Sequence, residues 1–466
     1  MDAEVFEHHL NSPQGRGHLP GVTITAEGGV CGDSVRMSLA TDGQTITDAG
    51  FTAEGCGATT AAASAAVSMV VGLDLIAAAR IGSKQIDAEL GGLSPGKYHA
   101  ADVAADALAR TLGTLAYEMG AFEAPQDGRR TLVAMSGGVD SAVAAMLCAE
   151  QGDTAAVTLE LWRDEQNDGE GSCCSASAVS QARKLAHDMG LPHFTLNLAD
   201  QFRQGVVDPF IAAYRAGETP NPCVGCNGHV RLDAMLELAG RLGAATLATG
   251  HYARVEDGLL RAAADPGKDQ TYMLAALAPE SLARLHFPLG DLHKTQVREL
   301  ATKAKLPVAA KPDSQDLCFL AGTDRASFLR RHATGPEPGE IVDREGTVLG
   351  SHDGHELYTV GQRRGFGGHA HALYVLDKDA VHNRLVVGPR EALETRRVRV
   401  RGLRLHRDGA RVNRVKLRYR SESLAARLDG SELELEEPMS GAAPGQLAAL
   451  MDDELIIGWA TIAARQ

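Results

Sequence analysis

The chain has 466 residues, 44% of them hydrophobic and 23% charged, and its 46 Lys and Arg against 60 Asp and Glu leave a net charge of −14. That length allows three or four domains with large cores, and the composition excludes a disordered or low-complexity chain. The acidic balance excludes a surface that coats nucleic acid generally, so any RNA contact must rest on local basic patches.

The first ten residues, MDAEVFEHHL, are acidic and lack an apolar h-region. The most apolar run, 58–73, is rich in Ala, Ser and Thr and stops at Asp74. The expectation is a cytoplasmic protein with no membrane segment. Strand-type segments at 22–25 and 34–40 surround Gly29-Val30-Cys31-Gly32-Asp33, and a turn at Thr41-Asp42-Gly43 leads to a third strand over 45–51. Ala53-Glu54-Gly55-Cys56-Gly57-Ala58 then opens a helix to about residue 71, and two further helices are expected over 76–90 and 101–119. A Cys beside Gly at a strand end or helix start is exposed and its thiolate favoured, as metal binding requires. Along nearly its whole length this region resembles the NifU/IscU-type iron–sulfur scaffold, through CGD at 31–33, GCG at 55–57 and PGKYHAADVAADAL from Pro95. The resemblance implies an α+β domain over 1–122 with Cys31, Asp33 and Cys56 at ligand positions. The family's third cysteine falls on Ala100, and His99 beside it is a substitute nitrogen ligand. Such a set would suit zinc or a labile iron–sulfur cluster. A degenerate scaffold kept for docking or oligomerisation is the alternative.

Residues 123–130 are short, polar and contain Pro and Gly, which marks a domain boundary. Beyond it, strands over 131–135, 155–161, 193–197 and 245–249 alternate with helices from Ser141 and over 176–189, 201–215 and 230–242. That alternation predicts a Rossmann-like parallel sheet, with ligands at the carboxyl ends of its strands. There SGGVDS, Leu159 and Thr249-Gly250-His251 share one crevice. In Ser136-Gly137-Gly138-Val139-Asp140-Ser141 the glycines let backbone N–H groups turn inward, and the following helix adds orphan amides and the positive end of its dipole. The result is an anion cradle. It is neither a GxGxxG turn nor a Walker A, since it lacks the GxxxxGK spacing and the phosphate-binding lysine. SGGVDS after a strand resembles the PP-loop of ATP pyrophosphatases. This implies ATP held by Ala134, Met135, Ser136, Gly137, Gly138, Val139, Asp140, Ser141, Leu159 and Gly250, with Mg²⁺ offsetting the phosphate charge.

Eight cysteines without a secretory signal point to reduced, reactive or metal-bound thiols. Cys148 falls on the apolar face of the first helix and reads as core. Cys173-Cys174 in an acidic loop reads as sulfur shuttle or as loop and helix cap. TPNPCVGCN carries a C-x-x-C at Cys223 and Cys226 in a proline-stiffened loop, and Cys318 lies in a second loop, KPDSQDLCF. No second C-x-x-C completes a four-cysteine zinc site. Three thiols suit a 4Fe-4S cluster with one open iron, and two suit a nucleophile plus persulfide carrier. TPNPCVGCN, KDQTYML from Lys268, DSQDLCF from Asp313 and TVGQRRG from Thr359 together resemble the tRNA-specific 2-thiouridylases, from Thr131 to the end of the chain. The resemblance implies that Cys226 is the nucleophile and Cys318 bears the persulfide. Cys223 stands where many members have Asp, and it completes a three-cysteine set. Asn221, Pro222, His251, Lys268, Asp269, Gln270, Arg418, Tyr419, Arg420 and Gln446 match tRNA-contacting positions.

From Pro338 the pattern turns to short strands, which predicts a small linking domain and then a β-barrel. The division expected is 1–122, 129–325, 326–394 and 395–466. Arginines from Arg396 to Arg420 stand almost unopposed by acids along the sequence and on alternating positions share one face, a candidate patch for tRNA phosphates. The reading is ATP-dependent 2-thiolation of the wobble uridine in tRNAs for Lys, Glu and Gln. A cysteine desulfurase or sulfur carrier protein would donate the sulfur. The alternatives are an iron–sulfur assembly protein with a regulatory nucleotide domain, and a pyrophosphatase acting on a small molecule.

Overall fold

The computed structural model describes residues 3–17, 21–28, 32–119, 129–162, 175–313, 317–320, 322–332, 337–363 and 372–464. The chain is multidomain α/β. At its start, β1 (Val22–Gly28), β2 (Asp33–Thr41) and β3 (Ile46–Glu54) form an antiparallel sheet in that order. Around it run α1 (Ala3–Asn11), α2 (Gly57–Val70), α3 (Leu75–Ala78), α4 (Ser83–Glu89) and α5 (His99–Thr114). The single helix expected over 76–90 is two. Asp74 caps α3 by accepting from the Ala77 amide, and the chain turns at Ala79, whose carbonyl meets His187 Nε2 at 3.1 Å.

The second unit is the doubly wound sheet. Strands β4 (Arg130–Ala134), β5 (Thr154–Glu160), β6 (His193–Asn197) and β7 (Ala244–Ala248) are parallel, and with β10 (Leu285–His286) their order is β10-β7-β4-β5-β6. Every residue of β5 is buried, as a strand covered on both faces requires. Its helices are α6 (Val139–Gln151), α7 (Ala176–Asp188), α8 (Ala199–Phe202), α9 (Asp208–Arg215), α10 (Pro222–Gly225) and α11 (Leu232–Arg241). The helix expected over 201–215 carries a π-helical turn at Arg203–Val207, and the one expected from 230 is entered through another at Cys226–Arg231. Cys148 on α6 is core, and burial pushes its thiol up to about 11.

A four-stranded sheet follows, from β11 (Gly339–Val342), β12 (Val348–His352), β13 (Tyr374–Asp379) and β14 (Arg384–Gly388). The last unit runs through β15 (Glu394–Leu405), β16 (Arg414–Lys416), β17 (Leu424–Asp429), β18 (Glu432–Ser440), β19 (Leu447–Asp452) and β20 (Leu455–Ile462). Pairing of β15 with β20 closes these six strands into a barrel. A hairpin of the second unit, β8 (Arg254–Glu256) and β9 (Leu259–Arg261), adds to β20 through Leu455↔Arg261 and Ile456↔Leu260. Shared backbone pairing therefore fixes the barrel beside the parallel sheet.

The first unit docks on the opposite edge of that sheet, where α5 packs on β6. Buried charges hold the contact. Arg110 bonds Asp106 at 2.7 Å and also bonds Glu160, while the buried Arg183 bonds Asp106 from α7. Burial opposes the Asp106 charge, but Arg183 and Arg110 outweigh it and hold the carboxyl below its ordinary value. Lys184 adds a 2.7 Å bond to Asp102.

Candidate active site

Strand β4 delivers the chain into Ser136–Ser141 at the carboxyl edge of the sheet. Gly137 takes φ +70°, a conformation that L side chains rarely adopt, and a Cβ there would meet the Ala178 carbonyl at 2.9 Å. Ser141 Oγ accepts from the Ser136 amide at 3.1 Å and donates to the Gly138 carbonyl at 3.1 Å, so the loop is stitched to the first turn of α6. Gly250 lies against that turn, and a Cβ on it would fall 2.8 Å from the Ser141 nitrogen. A cleft of about 1590 Å³ opens above the loop. Ala134, Met135, Ser136, Gly138, Val139, Asp140, Ser141, Leu159 and Gly250 line it, and Gly137 is the one expected nucleotide contact outside the lining.

The charges at the cleft were not legible as a set in the sequence. Lys294 Nζ bridges Asp140, at 2.7 and 2.8 Å, and Asp313, at 2.9 Å. Asp313 also accepts from Lys268 at 2.7 Å and Arg298 at 2.8 Å. Burial opposes its charge, but these lysines prevail and hold its carboxyl at about 2. Tyr252 donates to Asp140 at 2.8 Å. Lys311 Nζ donates to the Gly137 carbonyl at 3.0 Å and to Gln181 Oε1 at 2.7 Å. Lys311 and Asp313 belong to the KPDSQD loop, whose Pro-stiffened run of charges was the available signal.

The cysteine segment is helical where a loop was expected. Asn221 caps the turn by accepting from the Cys223 amide at 3.1 Å, and Pro222 follows at the first helical position. Cys226 is buried and opens the π-turn Cys226–Arg231. Such turns are frequent at functional sites. Cys318 sits on a short 3₁₀ turn, Cys318–Leu320. Phe319 beside it packs on Phe202 and Phe210, at 5.9 and 5.2 Å between centroids. The π-turn Arg203–Val207 between those two phenylalanines contacts both α10 and the Cys226 turn. Both cysteines thus flank one aromatic segment. Cys173 and Cys174 lie outside the described residues.

Of the positions expected to touch tRNA, His251, Lys268, Asp269, Gln270, Tyr419 and Arg420 line the cleft. Barrel residues therefore form part of the nucleotide cleft's wall. Thr249 Oγ1 lies 2.8 Å from His251 Nδ1, and burial pushes the imidazole down to about 3, so it is neutral at physiological pH. Burial raises the Tyr419 pKa. The cysteine turn α10 packs on the helical turn Thr271–Leu274 that follows the cleft-lining Gln270, and Asn221 Nδ2 donates to Met273 Sδ at 3.4 Å. Asn221 and Pro222 stay on the cysteine turn. Gln446 donates to the Thr219 carbonyl and Arg418 to the Ser440 carbonyl at 2.7 Å, so both tie the barrel together or to the cysteine segment.

The expectation of arginines unopposed by acids needs correction. Arg397, Arg399 and Arg401 do share an exposed face of β15 between buried Val398 and Val400. Yet antiparallel pairing sets Arg397 opposite Glu434 and Arg399 opposite Glu432. Arg397 bonds Glu432 and Glu434, Arg401 bonds Glu218, Arg411 bonds Asp452 and Lys416 bonds Asp269. The acids come from partners distant in sequence, so counting along one strand overstated the patch.

In the first unit Asp33, Cys56 and His99 converge, with one ligand atom from each within 4.8 Å of the others. Cys56 donates its amide to Asp33 Oδ1 at 3.2 Å, and His99 Nε2 lies 3.3 Å from Asp33 Oδ2. Burial opposes the Asp33 charge, but hydrogen bonds from Thr59, Cys56 and His99 hold its carboxyl below the ordinary value. Burial likewise opposes the Cys56 thiolate, and bonds from Thr59 and the amides opening α2 outweigh it. Sulfur, imidazole nitrogen and carboxylate oxygen are the donor set of zinc. Ala100 is buried core, and Cys31 lies outside the described residues. No other His/Cys/Asp/Glu triplet converges this closely among the described residues, and Cys223, Cys226 and Cys318 do not.

Residues 2–121 match the NifU-like N-terminal domain, 129–322 the tRNA methyl transferase HUP domain and 326–389 the tRNA methyl transferase PRC-barrel domain. The bifunctional protein NifU/MnmA of Rubrobacter xylanophilus is 43% identical over 99% of this chain and 98% of its own. This chain belongs to the bifunctional NifU/MnmA family. The tRNA-specific 2-thiouridylase MnmA of Zymomonas mobilis is 41% identical over 72% of this chain and 94% of its own. That match leaves more than a quarter of this NifU/MnmA chain uncovered. Among solved structures, the U34-tRNA thiolase NcsA of Methanococcus maripaludis, with its 4Fe-4S cluster, covers 44% of this chain and 66% of its own. Its identity is 19% and its TM-score 0.28. Among the described residues no helix of this NifU/MnmA chain is long and apolar enough to cross a membrane.

Proposed function

We propose that this chain is a tRNA 2-thiouridylase that uses ATP to exchange the C2 oxygen of the wobble uridine for sulfur, in tRNAs for Lys, Glu and Gln. One observation carries the reading. Arg414, Lys416, Tyr419 and Arg420 of the barrel line the SGGVDS cleft, and the cysteine turn packs on the helical turn that follows the cleft-lining Gln270, an arrangement that would bring nucleotide, RNA and thiol together. A pyrophosphatase for a small molecule would not need the barrel there.

The C2 oxygen of uridine is a poor leaving group. Its attack on the α-phosphorus of ATP expels pyrophosphate and leaves an O-adenylated base, from which AMP departs readily. A uracil must be splayed from its stack to reach the cleft. Ser136–Ser141 would hold the pyrophosphate on backbone amides, and Asp140 and Asp313 offer the oxygen donors that suit the Mg²⁺ of the nucleotide. The terminal sulfur of a Cys318 persulfide attacks C2 and displaces AMP. The Cys226 thiolate then attacks Cys318 Sγ and frees the sulfur on the base. The resulting Cys226–Cys318 disulfide is reduced by an external dithiol, and a cysteine desulfurase or sulfur carrier reloads Cys318. Asn221, Pro222, His251, Lys268, Asp269, Gln270, Arg418, Tyr419, Arg420 and Gln446 are proposed to orient the tRNA. Asp33, Cys56 and His99, with Cys31, are proposed to hold zinc or a labile iron–sulfur cluster. The units proposed remain 1–122, 129–325, 326–394 and 395–466.

Mass spectrometry of tRNA from a strain lacking its own 2-thiouridylase tests the function. This gene should restore 2-thiouridine and its Cys226→Ser and Cys318→Ser variants should not; no restoration by the intact gene refutes the proposal. A 4Fe-4S cluster on Cys223, Cys226 and Cys318 is the second route, which the donor chemistry of three thiols would suit although their ligand atoms do not converge here. After anoxic reconstitution, an iron–sulfur absorption lost in Cys223→Ala would select it. A colourless, active protein selects the persulfide.

A further inference from the structure

The SGGVDS loop has no lysine of its own, although a terminal or leaving phosphate needs a cation. We propose that Lys311, brought to the loop from 174 residues beyond Gly137, is the lysine that grips the pyrophosphate expelled from ATP. This rests on the ATP-dependent reading above and adds to it a residue that the motif does not contain.

Lys311 reaches the loop through the KPDSQD segment and lines the cleft beside Ser136 and Gly138. Its ammonium lies 3.0 Å from the Gly137 carbonyl and 2.7 Å from Gln181 Oε1. Both partners are neutral. The neighbouring cations differ: Lys294 is held by Asp140 and Asp313, Lys268 and Arg298 by Asp313, and Lys416 by Asp269. Among the described residues no carboxylate contacts this half-buried ammonium, which has lost hydration that two neutral acceptors only partly replace. An anion on the adjacent loop amides restores it. Because Gly137 lies between the cleft-lining Ser136 and Gly138, phosphate oxygens seated on those residues' amides come within reach of Lys311 with only a side-chain rotation. Gln181, on α7, accepts from the ammonium itself. Lys294 cannot take this role without releasing both carboxylates, so it is the strut that positions Asp140 and Asp313.

Lys311→Gln tests this directly, since the amide can still donate to the Gly137 carbonyl while the charge is lost. Calorimetric titration of the full chain with magnesium pyrophosphate should show binding weakened roughly tenfold or more in Lys311→Gln and restored to within a few-fold in Lys311→Arg. Affinity for unmodified tRNA should be unchanged in both. Equal pyrophosphate binding by wild type and Lys311→Gln overturns the inference and leaves the function standing. Failure of the wild type to bind either pyrophosphate or ATP overturns the function itself. Should Lys311→Gln unfold, the thermal midpoint reports it. Lys311→Arg then decides against Lys311→Met, with loss of pyrophosphate binding in both overturning the claim of a charge contact.

Discussion

Gly250 closes the nucleotide loop from the side of β7. A methyl group there would press on the Ser141 nitrogen at 2.8 Å and the Asp140 carbonyl carbon at 2.9 Å, and these are backbone atoms that cannot swing aside. Gly250→Ala must displace either the first turn of α6 or the end of β7, and overpacking of this kind costs about 1–3 kcal/mol. The displaced amides are those proposed to hold phosphate. ATP affinity measured by calorimetry should therefore fall about tenfold while tRNA affinity in a filter-binding assay holds. Unchanged ATP affinity would mean that the loop is less tightly packed than its geometry indicates. Gly250 was legible in the sequence because a glycine ending a strand has few local meanings. Lys311 was not, since nothing local ties it to a loop 174 residues away. The cysteine pair lies between these cases. Its spacing was visible, but Asn221 and Pro222 together make a helical start that the proline alone had suggested was a loop.

At the scale of elements, α5 and α7 meet β6 through groups that suit neutral pH. His187 on α7 points at the Ala79 carbonyl, and burial lowers its pKa to about 4. His193 on β6 bonds Thr158 at 2.8 Å, and burial holds its pKa well below the ordinary value. The unfolded chain takes up a proton on each histidine near pH 6.5, whereas the folded chain does not. Stability therefore falls as pH drops below about 6.5 and, for His187, levels near pH 4, with up to about 3 kcal/mol at stake. Thermal melts of His187→Gln, which can still donate to Ala79, should show a shallower loss between pH 6.5 and 4 than the wild type. Identical slopes would exclude His187 as a source. The strand periods of β5, β6 and β15 were readable because burial of one or both faces is written locally. Partners were not readable: Glu432 and Glu434 neutralise β15 only once β18 pairs with it, and that register is set by the closed barrel.

At the scale of the whole molecule, the first unit and the nucleotide unit share a core. One apolar cluster runs from Met37 and Phe51 through Leu108 and Leu112 to Phe194 and Leu196, and reaches Leu447 and Ile456 in the barrel. The converged Asp33, Cys56 and His99 stand at the start of α5. Arg110, 11 residues on and about 16 Å along the helix axis, bonds Glu160 next to the cleft-lining Leu159. That helix span sets the triad apart from Arg110. A shared core with buried ion pairs also means that the units should unfold together. Differential scanning calorimetry of the full chain should give one transition covering both. Arg110→Ala leaves Asp106 and Glu160 each short of a cation in a buried site, a change that typically costs about 3–5 kcal/mol. Its transition should move down and split, with the first unit melting earlier. Asp106→Asn with Arg183→Gln, which removes a charge of each sign, should cost less than Arg110→Ala. Two separate transitions in the wild type would show that the first unit is a tethered module.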